Sequence, residues 1–515
     1  MLGLPDCHDN TMRTTKQVVP VQPGISLLRL FLVLLLSLAP WISGGCSVNP
    51  VSGLPEVTLV TVEQEKKLGA EEAARVEQQM GLLDDPPLVA YVDSVGQRLA
   101  EQSPRRDVMY RFHIVDMVEP NAFALPGGYV YVTRGLLALV NTEDELAGVV
   151  GHEIGHVAAR HSVQKISRQG PFAVVTGLVA GVTGLVSPLV GNIVGGVGEF
   201  AQSLVFSPYS RSQENEADKV GQEMAAKAGW EPEGLSDFLN TLGREESLMH
   251  DGPRRPSFFD SHPATPDRVA NTSKHAKQLH RTVRQPISAS REVFLQRLDG
   301  LVVGQRAANG VLQEQTFRHP DSNVFMEFPE KWQLENTPEQ VAAASPDGEA
   351  VIVLRAVAQG TDPMDGARAL EKESKSPVVD KTTSTRVGNL PAARTQLDVD
   401  SKVTLDLTWV AHEGMIYQIA GLAPKKRFDS VHSLFRTTAQ SFRPLTLQER
   451  NGILEKRIRL VKARGGETLR SLVNRSNSVW KVEQVAVANG LAASEGLKDG
   501  QLIKVVMLEP YVPKK

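Results

Sequence analysis

The sequence predicts an α+β multidomain protein: a mainly helical first domain with a small sheet, then a small α+β domain, then a βααβ unit. Three observations predict it. At about 150 residues per domain, 515 residues allow three or four domains. Helical patterning dominates the first half of the chain, and strand alternation takes over from about residue 321. A last stretch, 457–508, reads as strand, two short helices and strand. Apolar residues make up 41%, enough for a substantial core and against disorder as the default state. Lys plus Arg number 56 against 59 Asp plus Glu, a formal charge of −3, so nothing resembles the basic excess of a nucleic-acid binder. Two cysteines, Cys7 and Cys46, exclude a disulfide scaffold and a Cys-rich metal fold.

The N-terminus reads as a secretory signal over residues 1–45. Arg13, Lys16 and Arg29 precede or enter an apolar run, 30–39, which ends in Pro40 and is too short to span a membrane comfortably. Ser43-Gly44-Gly45-Cys46-Ser47 resembles the bacterial lipobox, in which the chain is cleaved before the Cys and the Cys is acylated. Ser43 stands where that pattern has an aliphatic residue. Either Cys46 is a lipid anchor, or cleavage near Gly45 leaves a free thiol.

The first domain is expected over 46–285. Residues 62–104 read as helical, with 64–79 rich in Glu, Lys and Ala. Two strand-like runs, 110–115 and 129–132, are joined by 120–128, where Pro126, Gly127 and Gly128 mark a turn. Thr142-Glu143-Asp144-Glu145 is a capping box, opening a helix expected to reach about Lys165. Residues 211–228 and 231–248 read as further helices, followed by a Pro-rich loop, 251–266. Residues 286–320 should form a helical connector. In 321–446, strand alternation over 350–356 and 403–420 predicts a sheet, Glu413-Gly414 a hairpin turn, and 428–442 an amphipathic helix. Trp332, Trp409 and Phe442 read as core.

The chemistry concentrates on the capped helix. His152-Glu153-Ile154-Gly155-His156 puts two imidazoles on one helix face, one turn apart. Each can offer a nitrogen to one zinc ion at about 2.0–2.1 Å. Glu153 leans toward the metal edge, where it can take a proton from an attacking water and deliver it to a leaving amine. A catalytic zinc needs a third protein ligand. In Ser212-Gln213-Glu214-Asn215-Glu216-Ala217-Asp218, helical spacing puts Glu214 and Asp218 on one face and Glu216 on another. Glu214 can ligate, and Asp218 can accept the second N–H of a ligand His. These acids also fit a plain solvated helix face. His161 lies off the ligand row and reads as structural.

Together, Asn121-Ala122-Phe123-Ala124-Leu125-Pro126-Gly127-Gly128, the His-Glu-Ile-Gly-His motif and Glu214-x-x-Ala217-Asp218 resemble the gluzincin metallopeptidases of the CAAX prenyl protease and HtpX type, and within them the periplasmic BepA-type lipoprotein branch. The likeness covers about 46–280. It implies a zincin-type fold, one Zn2+ per chain held by His152, His156 and Glu214, and Glu153 as the catalytic base. It also implies that Asn121, Ala122, Phe123 and Ala124 line the substrate cleft beside an edge strand that pairs with extended chain. His262, in Ser261-His262-Pro263, matches a loop His that takes the fourth zinc position as a regulatory ligand; the other reading is a turn His satisfied by backbone. Arg268 would either stabilise an oxyanion or pair with an acid such as Asp267. Residues 457–508 resemble a LysM module, which implies peptidoglycan as a partner, against a βααβ unit that only packs on its neighbour.

Residues 169–198 are uncharged, glycine-rich and long enough to span a bilayer. A single crossing would put His152 and Glu214 on opposite sides of the membrane, so a packed hairpin or a membrane-touching flap is expected instead. The resemblance implies a zinc endopeptidase in the periplasm, an outer-membrane lipoprotein acting on unfolded or misfolded envelope polypeptides, with no nucleic-acid partner. The alternative is a wall-anchored chaperone or assembly factor whose zinc is inactive or capped.

Overall fold

The computed structural model describes residues 46–58, 60–168, 208–248, 258–263, 267–374, 377–399 and 402–513. The expectations for 1–45 and 169–198 lie outside them. The chain is a mixed α/β multidomain protein. It opens on a small antiparallel pair, β1 (Cys46–Val48) with β2 (Pro55–Val57). Asn49 then ties this start to the body, its Nδ2 donating to the Ala159 carbonyl at 3.2 Å.

Two helices follow, Val62–Met80 and Pro86–Ala100. Next comes a three-stranded sheet of β3 (Arg111–Val115), β4 (Ala122–Leu125) and β5 (Tyr129–Thr133), in the order β3-β5-β4. β3 and β5 run parallel, and β4 runs antiparallel to β5. The segment expected to join two strands is therefore itself the edge strand, and only Pro126–Gly128 is the turn. Its alanines join the main core while Phe123 stacks on Tyr131, ring centroids 5.0 Å apart.

The expected single helix from Thr142 divides in two, Glu143–Ala158 and His161–Arg168. Arg160, at φ 57°, makes the break. Its side chain explains that conformation. Arg160 Nε donates to Glu65 Oε2 at 3.1 Å, and Arg105 grips the same carboxylate with bonds of 2.7 and 3.0 Å. Arg105 also donates to the Val157 carbonyl at 3.0 Å. Glu65, 1% exposed, thus ties the first helix to the end of Glu143–Ala158.

Helices Arg211–Ala228 and Gly234–Leu248 complete this part. In the Pro-rich region Phe258–Ser261 forms one helical turn. The connector is α-helical over Arg291–Gln296 and has a short 3-10 turn at Ala307–Asn309. Strands begin at β6 (Val311–Gln313), then β7 (Thr316–His319) and β8 (Val324–Glu327), earlier than the alternation suggested. A two-residue turn with Glu314 at φ 54° joins the first pair, too short for a visible period.

A seven-stranded antiparallel sheet is built from β9 (Gln333–Asn336), β10 (Gln340–Ala344), β11 (Val351–Gln359), β12 (Thr383–Val387), β13 (Leu390–Asp398), β14 (Val403–His412) and β15 (Met415–Pro424). Its order is β12-β13-β14-β15-β11-β10-β9. Glu413 (φ 47°) and Gly414 (φ 78°) turn the β14–β15 hairpin at the expected place. Helix Lys425–Gln440 packs Phe428, Val431 and Phe435 on one face, and helix Met364–Ser374 covers Trp409 on the other. The chain ends in β16 (Leu454–Lys462), helices Leu469–Arg475 and Val482–Ala488, and β17 (Leu502–Pro510). This is the expected βααβ order. The unit shares the main core through Ile458, Ala488, Leu502 and Val506. Buried Lys504 donates to the carbonyls of Ala138 and Val140 at 2.9 and 2.7 Å, at the end of helix Arg134–Leu139.

Removing one partner of a buried ion pair strands the other charge, at a cost of about 3–5 kcal/mol. Glu65→Ala should lower unfolding stability by that order, read by chemical denaturation. A change within about 0.5 kcal/mol, the range of a neutral surface substitution, would remove Glu65 from its central place.

Candidate metal centre

Thr142 caps the helix Glu143–Ala158, its hydroxyl accepting the Glu145 N–H at 3.1 Å. The Glu145 carboxylate takes the N–H of Asn141 at 2.7 Å, one residue earlier than a capping box requires. His152 and His156 then leave one face of this helix. The partner helix, Arg211–Ala228, opens with a full capping box from Ser210 and Gln213. The two backbones touch. A Cβ on Gly155 would lie 2.9 Å from the Ala217 carbonyl oxygen, and one on Gly221 2.6 Å from the His152 amide nitrogen. Only residues without a Cβ allow that approach, and it carries Glu214 to the imidazoles.

His152, His156, Glu214 and His262 are all buried, and one ligand atom from each lies within 4.8 Å of the others. The two Nε2 atoms of His152 and His156 are 3.0 Å apart. Glu214 Oε1 lies 3.2 Å from His156 Nε2 and 3.1 Å from His262 Nδ1. His262 Nδ1 is 3.1 Å from His152 Nε2. The structure therefore puts His262 inside the ligand group. Phe258 holds it there, stacked on its ring at 4.2 Å.

Asp218 stands behind His152, its Oδ1 2.8 Å from Nδ1. Arg268 grips Asp218 with two bonds, 2.9 and 2.8 Å, and reaches Glu214 Oε2 at 2.7 Å. It thus pairs with acids, but with Asp218 and Glu214 rather than Asp267. Burial opposes ionisation of Asp218, yet Arg268 and His152 hold its carboxyl below the usual range. Burial opposes Glu214 likewise, and His262, His156 and His152 overcome it, holding Glu214 well down. Burial pushes His156 well below the usual imidazole range, so it stands neutral with a lone pair to give.

Glu153 is fully buried and burial pushes its carboxyl up. Neither of its oxygens accepts a hydrogen bond among the described residues; His262 Nε2 is 3.5 Å from Oε1. An orphaned buried carboxyl is costly, and its retention points to use. Ring nitrogens and a carboxylate oxygen converging this closely can hold a cation, and two imidazoles with a carboxylate fit a divalent transition metal.

Residues 87–276 match Peptidase family M48. The chain carries an M48 peptidase domain. It is similar to the beta-barrel assembly-enhancing protease of Escherichia coli (strain K12), 26% identical over 252 residues, covering 48% of this chain and 51% of that protein. It is similar too to the mitochondrial metalloendopeptidase OMA1 of Schizosaccharomyces pombe, 28% identical over 223 residues, covering 43% of this chain and 63% of that protein. The bovine mitochondrial metalloendopeptidase OMA1 is 32% identical over 173 residues, 33% of this chain and 32% of that one. The chain spans about half the length of the first curated relatives it matches.

Within the M48 domain, sequence reasoning missed Tyr209 and Phe258 and read His161 as structural, away from the ligands. Tyr209 stacks on His156 with centroids 3.9 Å apart at 23°, and its hydroxyl meets Ser162 Oγ at 3.0 Å. Phe258 seats His262. His161 lies behind His156, where the helix break returns it to the ligand. None leaves a local signal, because each contact depends on elements distant in sequence or on the turn at Arg160.

Residues that orient metal ligands typically carry about 10–100-fold in metal affinity. Asp218→Asn should weaken binding of a divalent metal ion by that order in a chelator competition, and unchanged affinity would detach Asp218 from the site.

Proposed function

We propose that this chain is a zinc-dependent endopeptidase of the bacterial cell envelope that hydrolyses misfolded or stalled envelope proteins. The observation that carries the reading is the convergence of His152, His156 and Glu214 beside a buried Glu153 that lacks a hydrogen bond among the described residues. Two imidazoles and a carboxylate are a catalytic zinc set. When bound, the ion supplies Lewis-acid polarisation of the peptide carbonyl and makes water easier to deprotonate. Glu153 takes the proton of the attacking water and returns it to the leaving amine. Burial raises its carboxyl, which suits a group that must both take and give a proton near neutrality. Ala122, Phe123 and Ala124 of the edge strand, with Asn121 just before it, bind extended substrate by strand addition, which is tolerant of sequence.

His262 is the regulatory fourth ligand in this reading. Its Nδ1 takes the place beside the ligand group that water needs, so this arrangement is the resting one. Signal residues 1–45, a lipid on Cys46 and a module at 457–508 that holds peptidoglycan would keep domain 46–285 at the periplasmic face of the outer membrane. The names of the bacterial relatives support an envelope role; the mitochondrial relatives share the peptidase part.

Glu153→Gln should keep zinc and cut proteolysis of an unfolded substrate such as casein by about 10²–10⁴-fold. Cleavage at the wild-type rate would refute the base assignment. His262→Ala should raise the turnover of the purified full chain, and a rate equal to wild type would refute the cap. The position of His262 also favours a second reading, a chaperone with a permanently capped metal; equal rescue of a null strain by wild type and Glu153→Gln would favour it.

A further inference from the structure

The two ligand histidines are backed differently. His152 Nδ1 faces the Asp218 carboxylate, which Arg268 clamps. His156 Nδ1 faces another imidazole, His161 Nδ1, at 2.9 Å. His161 Nε2 in turn faces Glu216 Oε2 at 3.1 Å. His161 is fully buried, while Glu216 is about a third exposed.

Proton counting gives this chain one direction. A neutral His156 that offers Nε2 to a metal carries its proton on Nδ1. That proton points at His161 Nδ1, which must then be a bare acceptor. The single proton of His161 therefore sits on Nε2, and Glu216 is an acceptor placed to receive it. With the other His161 tautomer, two N–H groups would meet at 2.9 Å. Glu216 thus selects the tautomer of His161, and His161 selects that of His156.

The backbone is built for the contact. On an uninterrupted helix, five residues place His161 roughly 140° round from His156. The left-handed turn at Arg160, φ 57°, cancels that rotation. The rings then sit 5.0 Å apart at 71°, edge to face. Tyr209 closes the other flank of His156.

We infer that His161 and Glu216 are positioning residues, a relay that locks His156 with its Nε2 lone pair toward the metal and so sets metal affinity. The inference rests on the metal reading of His152, His156 and Glu214. It concerns neither substrate contact nor proton transfer in the reaction.

The test is zinc affinity of the purified full chain by chelator competition, with melting of the metal-free protein alongside. His161→Phe keeps the ring bulk and removes the acceptor. It should weaken zinc binding by about 10–100-fold. His161→Asn puts a carbonyl oxygen near the lost Nδ1 and should recover most of that loss. Glu216→Leu, at a partly exposed position, should weaken binding in the same direction without changing metal-free melting, and it stands in if His161→Phe does not fold. Wild-type affinity in both His161→Phe and Glu216→Leu would overturn the relay. So would equal weakening in His161→Phe and His161→Asn that tracks a fall in metal-free melting, because that is packing alone. Glu214→Ala separates the two levels: if it leaves zinc affinity unchanged, the metal reading falls and the relay with it; if it abolishes binding while His161→Phe does not weaken it, only the relay falls.

Discussion

Everything at the metal centre depends on how closely two helices meet. The helices Glu143–Ala158 and Arg211–Ala228 touch backbone to backbone at Gly151, Gly155, Ala217 and Gly221. Helix axes in ordinary packing stand about 8–10 Å apart, with side chains between. Here the contact has no side-chain layer, so a glutamate on one helix reaches histidines on the other without stretching. The glycine inside the His-Glu-Ile-Gly-His motif is therefore part of the site as much as the residues that flank it.

Charge is layered around that contact. Carboxylates of Glu214 and Asp218 sit among imidazoles, and Arg268 spans both. A buried acid without such a partner would take up a proton and lose its value as a ligand. Arg268 reaches Glu214 Oε2 at 2.7 Å while His156 and His262 meet Oε1, and the three histidines hold this carboxyl down. Glu153 is distinct: among the described residues neither oxygen accepts a hydrogen bond, His262 Nε2 stands 3.5 Å off, and burial pushes its carboxyl up.

Much of this was legible in the sequence because it is local. Spacing of four set His152 and His156 on one face, and Glu214 and Asp218 on another, and Thr142 marks the start of the first helix. Glu413-Gly414 announced its hairpin, and the order of the final βααβ unit followed from its turns. What was not legible is long-range. Ala122–Leu125 is short and made of small or apolar residues, and only pairing with Tyr129–Thr133 makes it a strand. The break at Arg160 is set by Glu65, far upstream. Tyr209 and Phe258 gain meaning only against rings they meet in three dimensions. The strands at Val311 and Thr316 are too brief to show a period.

The buried ammonium of Lys504 has a mechanical consequence. By holding two carbonyls of the helix before the metal-bearing one, it welds the C-terminal unit to the body of the molecule. That unit is no pendant on a leash. Anything it grips would fix the cleft at a set distance and angle, so the chain could address only those targets that come to its station.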